Sequence, residues 1–108
     1  MTGDDVESLD ESGPAKVSAD NSIFIGNKPF MNYVTAIVMQ FTTKGANEVV
    51  IKARGKFMSR AIDVVEVTRK RFLSGVLDVT KIEIDSEEFE NKEGRKVNVS
   101  TIEIILAK

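Results

Sequence analysis

Val49-Val50-Ile51-Lys52-Ala53-Arg54-Gly55-Lys56-Phe57-Met58-Ser59-Arg60 stands near the middle of a chain of 108 residues. Its first three residues are β-branched and favour a pleated, buried backbone, whereas the residues beyond Lys56 fall into helical spacing. The stretch predicts a strand that runs through a short basic turn into a helix. Lys52, Arg54, Lys56 and Arg60 then gather where a strand ends and a helix begins. Free backbone N–H groups and the helix dipole favour an anion at such a place. A basic turn on its own is more often simply solvated, so its weight depends on what surrounds it.

Upstream, Ser22 to Ile25 reads as a short strand ended by the turn-favouring pair Gly26-Asn27. Lys28-Pro29 opens a helix, because proline in a first turn loses no hydrogen bond. Phe30, Val34, Ile37, Val38 and Phe41 recur at spacings of three and four, giving one apolar stripe as far as Gly45. Tyr33 reads as an amphipathic edge of the core, with a nucleic-acid contact as the lesser option.

Downstream, a second helix is expected from about Lys56 to Phe72, with Phe57, Ala61, Val64, Val65, Thr68 and Phe72 on its stripe. Arg69, Lys70 and Arg71 lie in its last turn, where cations complement the helix dipole. Ser74-Gly75 ends it. The last third alternates: Ile82 and Ile84 with Glu83 and Asp85, then Ile102, Ile104 and Leu106 with Glu103 and Ile105. Two long strands are expected, joined by the polar run from Glu87 to Lys96, which is too long for a two-residue turn. A projecting hairpin follows. Lys92, Arg95 and Lys96 stand near its tip among Glu87, Glu88, Glu90 and Glu93, either as a solvated loop or as an arm that enters a groove. A metal site is not expected there, because cations interrupt the carboxylates.

The element order is β-α-β-α-β-β, an α+β two-layer sandwich in which two helices cover one face of a small mixed sheet. Residues 1–21 are expected to be an acidic disordered tail and residues 22–108 the folded domain. The tail is rich in Asp, Glu, Ser and Gly without periodicity, too polar to offset its ordering entropy. Residues 1–22 hold six carboxylates against Lys16, a net −5, and the remainder holds 14 basic and 11 acidic side chains, a net +3. The acidic total therefore hides a mildly basic body.

With no cysteine and no histidine, disulfides, zinc sites and the usual general base are all excluded. No spacing of carboxylates, hydroxyls or lysines points to a catalytic centre, so the expected protein is not an enzyme and needs no cofactor or metal. The apolar runs are too short for a membrane span and no signal pattern opens the chain, which points to a cytoplasmic protein without a membrane partner.

The runs Ile25-Gly26-Asn27-Lys28-Pro29-Phe30-Met31-Asn32-Tyr33-Val34, Val50-Ile51-Lys52-Ala53-Arg54-Gly55-Lys56 and Val99-Ser100-Thr101-Ile102-Glu103-Ile104 resemble the Alba family of small archaeal chromatin proteins, which has related subunits in ribonuclease P. The resemblance runs from about Ile23 to Lys108. It implies a fold like the C-terminal domain of translation initiation factor 3, and a homodimer with paired basic turns and two extended arms. It further implies side-by-side association of dimers through a helix-end phenylalanine, matched by Phe72, and binding of double-stranded DNA and RNA with little sequence preference. Lys28, Arg54 and Lys56 match its phosphate contacts, Arg60 extends that surface, and Arg95 matches a basic arm residue. Two positions depart from the pattern. Asn27 stands where a lysine open to acetylation is usual, and Asn98 where an arginine is frequent. A diverged paralogue, pairing as a heterodimer with a more basic relative, would fit both changes.

The function expected is sequence-independent coating and compaction of double-stranded DNA, chromosome-associated, with RNA bound as well. The alternatives are a ribonucleoprotein component, a protein-binding adaptor whose charges are only solvated, and, least, a nuclease built on carboxylates and metal.

Overall fold

The computed structural model describes residues 15–108. Its elements are β1 (Ser22–Phe24), α1 (Phe30–Thr42), β2 (Glu48–Arg54), a 3₁₀ turn (Gly55–Phe57), α2 (Met58–Val67), a π turn (Thr68–Phe72), β3 (Asp78–Glu90) and β4 (Lys96–Ala107). The strands form one sheet in the order β1-β2-β4-β3. β1 runs parallel to β2, as the intervening helix requires, and the other pairings are antiparallel. This is the mixed α+β sheet with two helices that the sequence predicts.

One face of the sheet carries the core. Ile23, Val49, Ile51, Ala53, Ile102, Ile104 and Leu106 are buried against Val34, Ile37, Phe41, Ala61, Val64 and Val65. Strict alternation along β2 and the inner half of β4 produces this, since successive side chains point to opposite faces. Each valine, isoleucine, leucine or phenylalanine among them contributes about 1.5–3 kcal/mol when fully buried. The opposite face stays open and bears Phe24, Lys52 and Glu103 in one cross-strand row, with Arg54 opposite Thr101 in the next.

Four features differ from the sequence expectation. The expected tail overlaps residues that pack on the body: Ala15 is buried in the core and its N–H donates to the Asn32 carbonyl at 3.3 Å. Ser18 and Ser22 are also joined, Ser18 N–H to Ser22 O at 2.9 Å. Spaced apolar residues such as Ala15 and Val17 need no regular period to fill the margin of an existing core. The portion of the expected tail in residues 1–14 lies outside the described residues.

The hairpin connection is also shorter than the polar run. β3 reaches Glu90 and β4 starts at Lys96, with Glu87↔Val99, Glu88↔Asn98, Phe89↔Val97 and Glu90↔Lys96 all in register. Backbone pairing, indifferent to side-chain charge on an exposed ribbon, extends the strands through the glutamates. The reversal is confined to 91–95. Asn91 Oδ1 accepts from the N–H groups of Glu93 and Arg95, and Gly94 takes φ +82°, a left-handed geometry that favours glycine.

The second helix is not uniform. It begins as the 3₁₀ turn and ends as the π turn, where Leu73 N–H donates to Thr68 O at 2.9 Å. Phe72, expected on the buried stripe, is half-exposed. Pro29, finally, precedes the first helical residue instead of lying within the first turn, and offers no side-chain cap.

Candidate nucleic-acid interface

Two loops form the basic end of the body. The first, between β1 and α1, carries Asn27 and Lys28. Because Pro29 supplies no cap, the loop is held by Tyr33, whose ring is buried one turn into α1 and whose hydroxyl accepts from Gly26 N–H at 2.8 Å and Lys28 N–H at 3.0 Å. Tyr33 thus has the amphipathic role expected of it, and its polar end sets the path of the backbone at Lys28.

The second loop is the 3₁₀ turn after β2. Gly55 takes φ +59°, and a Cβ there would lie 3.8 Å from Val99 Cγ1, so backbone conformation and not space calls for glycine. The turn presents Arg54 and Lys56 outward, both exposed. The two loops are tied together. Ile25 N–H donates to Lys52 O at 2.8 Å, and Arg60, projecting back from the first turn of α2, donates through Nη1 to the Gly26 carbonyl while its guanidinium lies 5.6 Å over the Tyr33 ring. Arg60 is therefore half-buried and braces the site more than it faces solvent.

Lys28, Lys52, Arg54, Lys56 and Arg60 accordingly come together at one end of the sheet. Lys92, Arg95 and Lys96 do not join them. All three are exposed at or beside the hairpin turn, and Lys96 lies five residues along β4 from Thr101, the residue opposite Arg54. At about 3.4 Å per residue that is a separation of roughly 17 Å. The basic residues form a body set and a tip set.

The open face between them is acidic. Glu83, Asp85, Glu87 and Glu103 border a shallow cavity of about 210 Å³. Arg54 Nη1 donates to Glu87 Oε1 at 3.3 Å, and Lys52 Nζ lies 3.9 Å from Glu103 Oε2 and 5.5 Å from the Phe24 ring centre. Glu87 as a partner of Arg54 is not apparent from the sequence, where the two are 33 positions apart. Only strand order reveals it.

Arg69 and Lys70 are drawn elsewhere. Arg69 donates to Glu66 Oε2 at 2.7 Å and Lys70 Nζ lies 3.4 Å from Glu66 Oε1. The hydrogen bond from Arg69 is the main influence holding the Glu66 carboxyl below its usual pKa, against a smaller opposing effect of burial. These cations serve the helix end. Among the described residues no group of three or more acidic side chains is arranged to hold a metal ion. No helix there is long and apolar enough to cross a membrane.

Comparison with known proteins places this geometry. The Alba family model matches residues 21–86. The chain is 62% identical over 87 residues to the DNA/RNA-binding protein Alba of Nanoarchaeum equitans, covering 80% of this chain and 96% of that protein. It is 58% identical over 90 residues to the DNA/RNA-binding protein Alba 1 of Archaeoglobus fulgidus, covering 83% and 98%. The solved structure of Alba from Thermoplasma volcanium superposes with a TM-score of 0.74 at 46% identity, over 82% of this chain and all of that one. The chain belongs to the Alba family.

Proposed function

We propose that this chain is a non-catalytic nucleic-acid-coating protein that binds double-stranded DNA through phosphate neutralisation, and RNA through the same surface. The observation that carries the reading is that Lys28 and Lys56 on two adjacent loops, Lys52 and Arg54 on the end of β2, and Arg60 in the first turn of α2 lie at one end of the sheet, where Tyr33 and the Arg60–Gly26 contact hold the loops. Relatives more than half identical bear names that state DNA and RNA binding. Among the described residues no helix face presents the Asn, Gln and Arg pattern that reads major-groove edges, so affinity comes from charge and sequence preference is small. Lys92, Arg95 and Lys96 extend the contact as an arm. Chromosome association follows from such coating.

The working unit in this reading is a homodimer, with a heterodimer with a paralogue built on the same edge. Ile82 and Ile84 pair with Ile104 and Ile102 and so lie on the helix-covered face of the sheet, yet they are 58% and 76% exposed, beyond the part of the edge strand that packs on the core at Val79. An apolar pair placed this way calls for a cover, and a second copy supplies an identical one. Phe72, half-exposed at the helix end, is the proposed contact between neighbouring dimers.

Fluorescence anisotropy on duplex DNA at several salt concentrations tests the function. With roughly six phosphates neutralised per dimer, log affinity falls against log salt with a slope of about −5. An Arg54→Glu/Lys56→Glu double variant loses most of that binding. A full chain that fails to bind duplex DNA or RNA at low salt overturns the reading.

A further inference from the structure

Beside the basic turn lies a cavity of about 660 Å³ that phosphate neutralisation leaves unused. Phe24, Phe57 and Val99 wall it, and Arg54 and Lys56 stand at its rim. Its volume is in the range of small-molecule sites, about 300–1,000 Å³. Phe24 is 61% exposed at the end of β1, so its ring is within reach of a ligand in the cavity. Both rings are already approached by ammonium groups, Lys52 at 5.5 Å from Phe24 and Lys56 at 5.3 Å from Phe57.

We infer that this cavity holds an unpaired nucleobase, stacked on Phe24 or Phe57, with its flanking phosphates on Arg54 and Lys56. The inference rests on the nucleic-acid reading above and deepens it. Aromatic faces beside a cationic track are the chemistry by which proteins hold single strands, since every base has a π-face and every linkage a charge. A base still stacked in a duplex has no free face to offer, so the occupant is a base in a single strand, a bulge or a frayed end. The sequence hides the site: Phe24 lies in an apolar strand, and the spacing of Phe57 places it on the core stripe of a helix. Only the turn at Gly55 brings the two phenylalanines to one cavity.

The test uses the full chain, a blunt DNA duplex, and the same duplex carrying one unpaired 2-aminopurine. Wild type binding quenches the 2-aminopurine fluorescence by stacking. A Phe24→Leu/Phe57→Leu variant keeps apolar volume but removes both π-faces. It loses that quenching and binds the bulged duplex about 5- to 150-fold more weakly, with blunt-duplex affinity and salt slope unchanged. The single variant Phe24→Leu, at an exposed position, keeps the test sound should the double variant fold poorly, and reduces the quenching. Equal losses on both ligands, or no quenching by wild type that binds the blunt duplex, overturn the pocket while leaving the coating reading intact. A change in oligomer mass on substitution also overturns it, by assigning the cavity to a second copy. Wild type that binds neither ligand overturns the coating reading and this inference with it.

Discussion

Arg54 and Glu87 meet across the open face of the sheet, Nη1 to Oε1 at 3.3 Å, although β4 lies between the strands that carry them. Both side chains are more than half exposed, so the pair contributes at most about 1 kcal/mol to folding. Its effect on the proposed binding is expected to be larger in proportion. A phosphate that takes Arg54 must first displace Glu87. Glu87→Gln removes the competitor, and duplex affinity at low salt is expected to rise about two- to fivefold with the melting temperature nearly unchanged. Anisotropy titrations of the two proteins side by side decide this, and equal affinities would show that Arg54 does not meet phosphate.

Tyr33 is the brace of the Lys28 loop. In Tyr33→Phe the ring still fills its place, while the N–H groups of Gly26 and Lys28 lose their acceptor. A partly buried donor left unpaired costs about 1–3 kcal/mol, which for a domain of this size lowers the melting temperature by roughly 4–8 °C per kcal/mol. Duplex affinity should fall as well, because Lys28 is no longer held in place. Calorimetry of the variant showing an unshifted melting temperature would dismiss the hydroxyl as the brace.

The strand, turn and helix around Gly55 are legible in the sequence because β-branched residues, a glycine and a helical stripe agree at every level. The apolar side of β4 is legible for the same reason, as alternation on a half-buried strand has a single solution. Other features escape because they depend on partners distant in sequence. Glu87 reads as one more loop glutamate until the register places it opposite Val99, within reach of Arg54. Ile84 reads as core from its alternation, and its exposure follows from its place on the edge strand β3, beyond the part that packs on the core at Val79. The ordered packing of Ala15 is a tertiary event with no local signal.

Exposed Ile82 and Ile84 give the proposed dimer its own test. Aspartate at both positions costs the isolated fold little, since neither side chain is buried in it. The pair of charges cannot be desolvated at an apolar interface. The expected product is a monomer by light scattering, with a circular dichroism spectrum like that of the wild type. Its salt slope should fall by half, from about −5 towards roughly −2.5, because each particle neutralises half as many phosphates. A variant that keeps the dimer mass would place the interface elsewhere.

Asn27 is exposed on the loop that Tyr33 and Arg60 hold, next to Lys28. Substitution by lysine adds a cation beside Lys28, on the surface proposed to meet phosphate. It disturbs no hydrogen bond of the Tyr33 brace, which uses backbone groups of the flanking residues. Surface changes of this kind alter stability by about 0.5 kcal/mol or less, so the effect is confined to binding. Two further phosphates neutralised per dimer steepen the salt slope by about 1.8 and raise affinity most at low salt. The effect should be equal on different duplex sequences, because a lysine on phosphate carries no base information. Unchanged slope with the added lysine would mean that this loop faces away from the nucleic acid, and would move the binding surface to the Gly55 turn and the hairpin tip.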